Sequence, residues 1–125
     1  MLKDKTVVIV EGEVLIALDI QRDLAEENAN NIIFARSSRE ILGDTLPQAD
    51  IAIVEIAPGE EDGAELARRF DSQGTPCILT SADGDAHRGL ADLAHLPLLA
   101  KPFSRDQLLD AVRSVLALPG APQAE

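Results

Sequence analysis

A handful of side chains able to handle a cation and a phosphoryl group stand in this chain, each at or just past the end of a short apolar run. Glu11-Gly12-Glu13 follows the run at 6–10, and Ser37 comes just after the run at 32–35. Glu55 closes the run at 51–54, Thr80-Ser81 ends the run at 76–79, and Lys101-Pro102 follows 98–100. Carboxylates are hard oxygen ligands suited to a divalent cation. Hydroxyls and an ammonium group donate charge-assisted hydrogen bonds to phosphoryl oxygens. Any one of these motifs alone is weak, and their order and spacing carry the signal.

Such a set acts together only if the fold gathers it, and the pattern of the chain provides for that. Thr6-Val7-Val8-Ile9-Val10 is a β-branched run typical of a strand buried on both faces. Residues 13–27 read as a helix with Val14, Leu15, Leu18 and Leu24 on its apolar side. A turn cluster at 28–31 leads to a second strand, Ile32-Ile33-Phe34-Ala35. Ser37 and Glu40 form a capping box for a short helix that Pro47 ends. Ile51-Ala52-Ile53-Val54 is the third strand, and a polar loop at 57–62 precedes a helix over 63–70 that Gly74 stops. Pro76-Cys77-Ile78-Leu79-Thr80 is the fourth strand. Residues 82–96 make a poor helix, weakened by Gly84 and Gly89. Leu98-Leu99-Ala100 is a short fifth strand. A second capping box, Ser104 with Gln107, opens a last amphipathic helix carrying Leu108, Leu109, Val112, Val115 and Leu116. Five strands alternating with helices require crossover connections, hence a parallel sheet covered on both faces. Ligands in such sheets sit outside the carboxyl ends of the strands, where the residues named above fall.

Composition narrows the function classes. The 125 residues suit one domain, and 46% hydrophobic content excludes a disordered chain. Eleven basic against 22 acidic residues give a net charge of −11, which repels phosphate backbones and anionic membranes. No apolar run approaches the ~20 residues of a membrane helix. The N-terminus runs straight into a strand with no signal peptide, and the lone Cys77 has no intramolecular disulfide partner, so a cytoplasmic setting is expected.

In the order and spacing of these landmarks, residues 4–117 resemble the receiver domain of bacterial two-component response regulators. The carrying features are the acidic run after strand one, a carboxylate ending strand three with Gly63 eight residues on, a threonine ending strand four, and Lys101-Pro102-Phe103 after strand five. The resemblance implies a flavodoxin-like (βα)5 fold, a doubly wound parallel five-stranded sheet with helices on both faces. It places a receiver-like domain at 1–118 and a disordered tail at 119–125. In that family a phosphoryl group passes from a kinase histidine to an aspartate ending strand three, with Mg²⁺ held by that aspartate and an acid after strand one. Lys101 matches the family's lysine, Thr80 its hydroxyl and Glu11 its first acid.

Two demanding positions do not match. The acceptor position holds Glu55, whose extra methylene carries the carboxylate about 1.5 Å further from the backbone. In-line phosphoryl transfer depends on positioning, so that displacement is serious. The family's second acid falls on Gly12, and neighbouring Glu13 leaves the strand in another direction. Leu98 stands where the family places its aromatic switch residue, and the loop proline comes one place early at Pro58. Together these departures describe a pseudo-receiver.

Several readings of the pocket stay open in the sequence. Glu55 with Lys101 is a residual ion pair, a partial mimic of a phosphorylated aspartate, or a working acceptor. No metal or cofactor is expected, with Glu11, Glu13 and Glu55 as weak candidates for Mg²⁺ or Ca²⁺; without a cation, mutual repulsion would raise the pKa of one of them, partly offset by Lys101. Asp83-Gly84-Asp85 fails the calcium-loop pattern, because His87 and Arg88 stand where an acid and a glycine belong. His87 and His95 read as solvated surface residues, Cys77 as a small buried apolar side chain, and Glu60-Glu61-Asp62 as a solvated loop. No phosphate-cradling glycine motif occurs.

The expected function is a stand-alone, non-enzymatic module in two-component signalling, binding another signalling protein (a histidine kinase or an output protein) without phosphorylation. The alternatives are a phosphoacceptor with an unusual acidic pocket and a small-ligand or metal sensor using the space at Gly12. The resemblance assigns docking to the face of helix four, strand five and the last helix; a homodimer is compatible with it, and nucleic acid and membrane are not expected partners. Leu90, Leu93 and Leu96 exceed what so short a helix need bury, so they either meet a partner or pack on the sheet.

Overall fold

The β-branched run near the N-terminus forms β1 (Thr6–Val10), which pairs with β2 on one side and β3 on the other. In the computed structural model, which describes residues 2–117, five parallel strands lie in the order β2-β1-β3-β4-β5. The other strands are β2 (Asn31–Ala35), β3 (Ile51–Glu55), β4 (Cys77–Ser81) and β5 (Leu98–Ala100). That order is the flavodoxin-like one, with its reversal between β1 and β3. The helices are α1 (Val14–Ala25), α2 (Glu61–Ser72) and α3 (Arg105–Ala117). The boundary at 118 and the tail at 119–125 lie outside the described residues.

Two aliphatic layers cover the sheet. Val8, Val10, Ala52, Val54, Cys77 and Leu79 face α2, whose Leu66, Ala67 and Phe70 are buried against them. Val7, Ile9, Ile51, Ile53 and Ile78 face α1 and α3, meeting Ile20, Leu24, Leu108 and Val112. β4 is buried along its whole length, as a strand covered on both faces must be.

Helix ends follow their capping chemistry where it is present. At α3, Gln107 N–H donates to Ser104 Oγ at 3.0 Å and Ser104 N–H to Gln107 Oε1 at 2.8 Å, the expected reciprocal box. α2 begins two residues earlier than expected because the Glu60 carboxylate accepts from both Asp62 and Gly63 N–H at 3.0 Å. Gly74 stops it with φ +86°, a left-handed conformation that favours glycine.

Three local expectations are corrected. First, α1 turns Ala17, Ile20 and Leu24 to the sheet, and leaves Val14 53%, Leu15 78% and Leu18 53% exposed. The stretch Val14-Leu15-Ile16-Ala17-Leu18 is apolar all round, so its pattern does not select a face. Second, the Ser37/Glu40 box opens only a 3₁₀ turn, Ser38–Glu40. Ser37 makes no side-chain cap, and Glu40 accepts instead from Arg36 N–H at 3.1 Å. The loop behind this turn is pinned to α2 by Arg69, which donates to the carbonyls of Gly43 and Asp44. Third, residues 82–96 form no α-helix, only turns and the 3₁₀ turn Ala91–Leu93. Leu93 and Leu96 are buried and complete the core beside α2, and Leu90 is partly buried against them.

Candidate functional site

The carboxyl ends of β1, β3, β4 and β5 bring Glu11, Glu55, Thr80 and Lys101 to one place. Glu55 pairs in register with Thr80, and the backbone N–H of Lys101 donates to Ser81 O at 2.8 Å. Lys101 reaches back across the strand ends with only 8% of its side chain exposed. Its Nζ donates to Glu55 Oε2 at 2.6 Å and to Glu11 Oε2 at 2.9 Å. Nζ is also 2.9 Å from Glu11 Oε1, so it sits astride a carboxylate that is 1% exposed. Glu13, with a side chain 67% exposed, comes no closer than 4.0 Å. The Lys101–Pro102 peptide bond is cis.

Backbone donors complete the cluster. Gly12 N–H donates to Glu55 Oε1 at 3.0 Å, and Glu13 N–H to Glu11 Oε2 at 2.9 Å. Both oxygens of Glu55 are therefore engaged, one by the lysine and one by the backbone of the β1–α1 turn. The Thr80 hydroxyl, fully buried, and Glu11 Oε1 have no hydrogen-bond partner among the described residues.

Electrostatics follow this geometry. Partial burial alone would push the Glu55 carboxyl up, but the hydrogen bonds from Lys101 and Gly12 and the charge of Lys101 outweigh it, and its pKa lies below the ordinary value. The rise expected from mutual repulsion of the acids is therefore not found at Glu55. Burial likewise works to lower the Lys101 pKa, and the hydrogen bonds and charges of Glu55 and Glu11 reverse that to a net rise.

The arrangement does not suit a divalent cation. Among the described residues, no three of His, Cys, Asp and Glu are placed to hold a metal ion. The ammonium of Lys101 lies between Glu11 and Glu55, which a bridging cation would otherwise join, and Glu13 points to solvent. Grooves of about 420 Å³ beside α1 and about 310 Å³ beside Ser37 flank the cluster, and Gly12 lines neither. A Cβ at Gly12 would meet Arg36 O at 3.4 Å and Glu55 Oε1 at 3.6 Å, ordinary contact distances, so a Cβ is accommodated there.

Gly63 has a structural reason that its spacing alone did not reveal. A Cβ there would lie 2.6 Å from the carbonyl oxygen of Glu55, so α2 can approach the end of β3 only at a glycine. Glu60, read as part of a solvated loop, is the α2 cap, and Asp62 pairs with Arg39 at 3.2 Å. Leu98 is half-buried and packs with the α2-side core. His95 is exposed and meets Asp71 at 2.9 Å, whereas His87 is half-buried with a ring nitrogen unpartnered, a correction to its expected solvation. Cys77 is buried, and burial pushes its thiol pKa well up.

No protein-family model matches the sequence, and no curated protein matches it either. Solved structures do. The chain superposes on a signal receiver domain of a two-component signal-transduction histidine kinase from Clostridium thermocellum with a TM-score of 0.76 and 21% identity, covering 92% of this chain and 99% of that one. A response regulator from Thermotoga maritima matches with a TM-score of 0.69 and 23% identity, covering 91% and 98%. The receiver domain of Francisella response regulator 1452 matches with a TM-score of 0.67 and 25% identity, covering 90% and 96%. With its strand order β2-β1-β3-β4-β5 and these superpositions, this chain has the receiver-domain fold of two-component response regulators.

Proposed function

We propose that this chain is a pseudo-receiver: a phosphorylation-independent, cytoplasmic interaction module of two-component signalling, with no catalytic residues of its own. The observation that carries this reading is the placement of Lys101. In the receiver pattern the lysine grips the incoming phosphoryl group, and in this chain it is held at 2.6 Å by Glu55 and at 2.9 Å by Glu11. Glu55 in turn is held by Gly12 N–H. The acceptor carboxylate, the lysine and the first acid bind one another, so an incoming phosphoryl group would have to break a partly buried, charge-assisted network. The single charge of Glu55 already fills the acceptor position, supporting one fixed state of the domain.

The partner in this reading is another signalling protein, a histidine kinase or an output protein. Docking is assigned to the face of the 82–96 turns, β5 and α3. Its support is the family pattern and the absence of an α-helix in 82–96, because segments that adjust on binding come from regions of low local stability. Leu98 has no ring to rotate, which fits constitutive binding.

Incubation with acetyl phosphate and Mg²⁺, read by intact mass, tests the proposal. The wild-type chain is expected to remain unmodified, and the double change Gly12→Asp with Glu55→Asp to gain acceptance that neither single change gives. A phosphoryl adduct on wild-type Glu55 in good yield would overturn the reading.

A further inference from the structure

The large hydrophobic side chains that the described residues leave exposed are Val14, Leu15, Leu18, Ile33 and Phe34, and every one belongs to α1 or β2. These two elements adjoin at one edge of the sheet. Val14 and Leu18 are one helical turn apart on a single flank of α1. The other flank, with Asp19 and Asp23, faces the groove shared with Phe103 and Arg105 next to α3. The exposed pair therefore lies on the side of α1 away from α3, above the β2 edge.

Among the described residues β2 pairs only with β1, which leaves its outer edge open. Ala35 O accepts from Glu11 N–H on the β1 side, which turns the backbone groups of Asn31, Ile33 and Ala35 inward. Strand alternation then leaves the N–H and C=O groups of Ile32 and Phe34 pointing outward. Edge strands are ordinarily kept from pairing by charge, proline, a bulge or a covering element. Asn31-Ile32-Ile33-Phe34-Ala35 has no charge and no proline, its register with β1 is unbroken, and the connection after it supplies only one 3₁₀ turn.

We infer that this edge is the interface of a two-fold homodimer, in which β2 pairs antiparallel with β2 of a second copy and the α1 helices meet above it. The strand is self-complementary about Ile33. With Ile33 opposite its own mate, Ile32 and Phe34 exchange main-chain hydrogen bonds with Phe34 and Ile32 of the second copy, satisfying all four open groups on each strand. Ile32 and Phe34 share a face, since their β1 partners Val7 and Ile9 both point to the α1 layer. The pairing thus sets isoleucine against phenylalanine twice on that face and isoleucine against isoleucine once on the other, combinations that stabilise cross-strand neighbours. A five-residue strand alone buries too little for a stable dimer. Leu18 and Val14 extend the apolar surface of this edge towards the carboxyl ends of the strands, where α1 of each copy flanks the other. The net charge of −11 opposes association of two copies, and none of it lies on residues 31–35, so added salt should tighten the dimer.

Sedimentation equilibrium of the full chain, with and without added salt, tests the inference. A mass twice that of one chain, strengthened by salt, is expected. Ile33→Lys and Leu18→Glu should each give a monomer with unchanged circular dichroism, while Ala94→Lys, at an exposed position remote from the edge, should remain dimeric. Register is read separately by oxidative cross-linking, to which the buried Cys77 contributes no background. Ile33→Cys, which opposes itself across the axis, should link two chains at least tenfold more than Ile32→Cys, which does not. A wild-type monomer at several hundred micromolar, a dimer that survives Ile33→Lys, or equal cross-linking at both positions would overturn the inference. So would a monomer whose β2 amides become protected only when a foreign strand is added.

Discussion

The pocket at the strand ends and the edge formed by α1 and β2 invert each other. In the pocket, charged groups are largely withdrawn from solvent and bind one another: Glu11 is 1% exposed, Lys101 lies across it, and partly buried Glu55 is held from two sides. At the edge, apolar side chains are exposed and backbone groups of β2 point outward with nothing among the described residues paired to them. Burial of charge closes the pocket to newcomers, because a ligand there must displace an existing ion pair. Exposure of apolar surface leaves the edge open, because a partner there only removes water. The contrast teaches where to look for this protein's interactions, away from the chemistry its fold is built to present.

The pocket side of this contrast should show the largest effect. Lys101→Met removes the only cation shared by Glu11 and Glu55 and leaves buried charge unpaired, so urea unfolding should register a loss of about 3–5 kcal/mol. A loss no larger than that of an exposed ion pair would mean the cluster is not closed. Gly63→Ala comes next. A methyl 2.6 Å from Glu55 O must push α2 off β3, for about 1–3 kcal/mol in the same measurement.

Stability against pH sharpens the description of the network. The Glu55 pKa is lowered on folding, so its contribution is fully present above the ordinary value of 4.5 and is lost as pH falls through the folded value beneath it. The Lys101 pKa is raised, so its contribution is fully present below the ordinary 10.5 and is lost as pH climbs through the folded value above it. Thermal unfolding should therefore show a plateau between these limits as far as this pair is concerned. The Glu55→Gln variant should lose the acid limb attributable to this pair, and an unchanged limb would contradict the assignment. The smallest effects belong to solvent-facing positions of each region. Glu13→Gln in the pocket and Leu15→Ser on α1 should each change unfolding free energy by less than about 0.5 kcal/mol, since both side chains are largely exposed.

The sheet was legible because its signals are local and strong. The β-branched runs at β1 and β3 admit little but buried strands, and the Ser104/Gln107 box marks α3 by hydrogen bonds that the structure contains. Lys101, Glu11 and Glu55 were legible as a cluster because parallel strands must deliver their carboxyl ends to one side. What the sequence could not supply was rotation and competition. The face that α1 buries depends on its attachment to β1, since residues 14–18 are apolar in every direction. The Ser37/Glu40 box failed because Glu40 found a better donor in Arg36 N–H. The leucines of 82–96 were ambiguous because a turn-rich connector can bury the same side chains as a helix. The direction of the Glu55 pKa depended on which of Lys101 and the neighbouring acids came nearest, a distance no spacing encodes.

The closed pocket is tested most directly by amide NMR of the wild-type chain titrated with Mg²⁺ and beryllofluoride, the cation and phosphoryl mimic that an open receiver pocket would accept. The resonances of Gly12, Ile56 and Thr80, which sit on or beside the Lys101 network, should stay where they are. Saturable shifts centred on those residues would show that the lysine leaves Glu55 for a ligand, and would contradict the closed pocket.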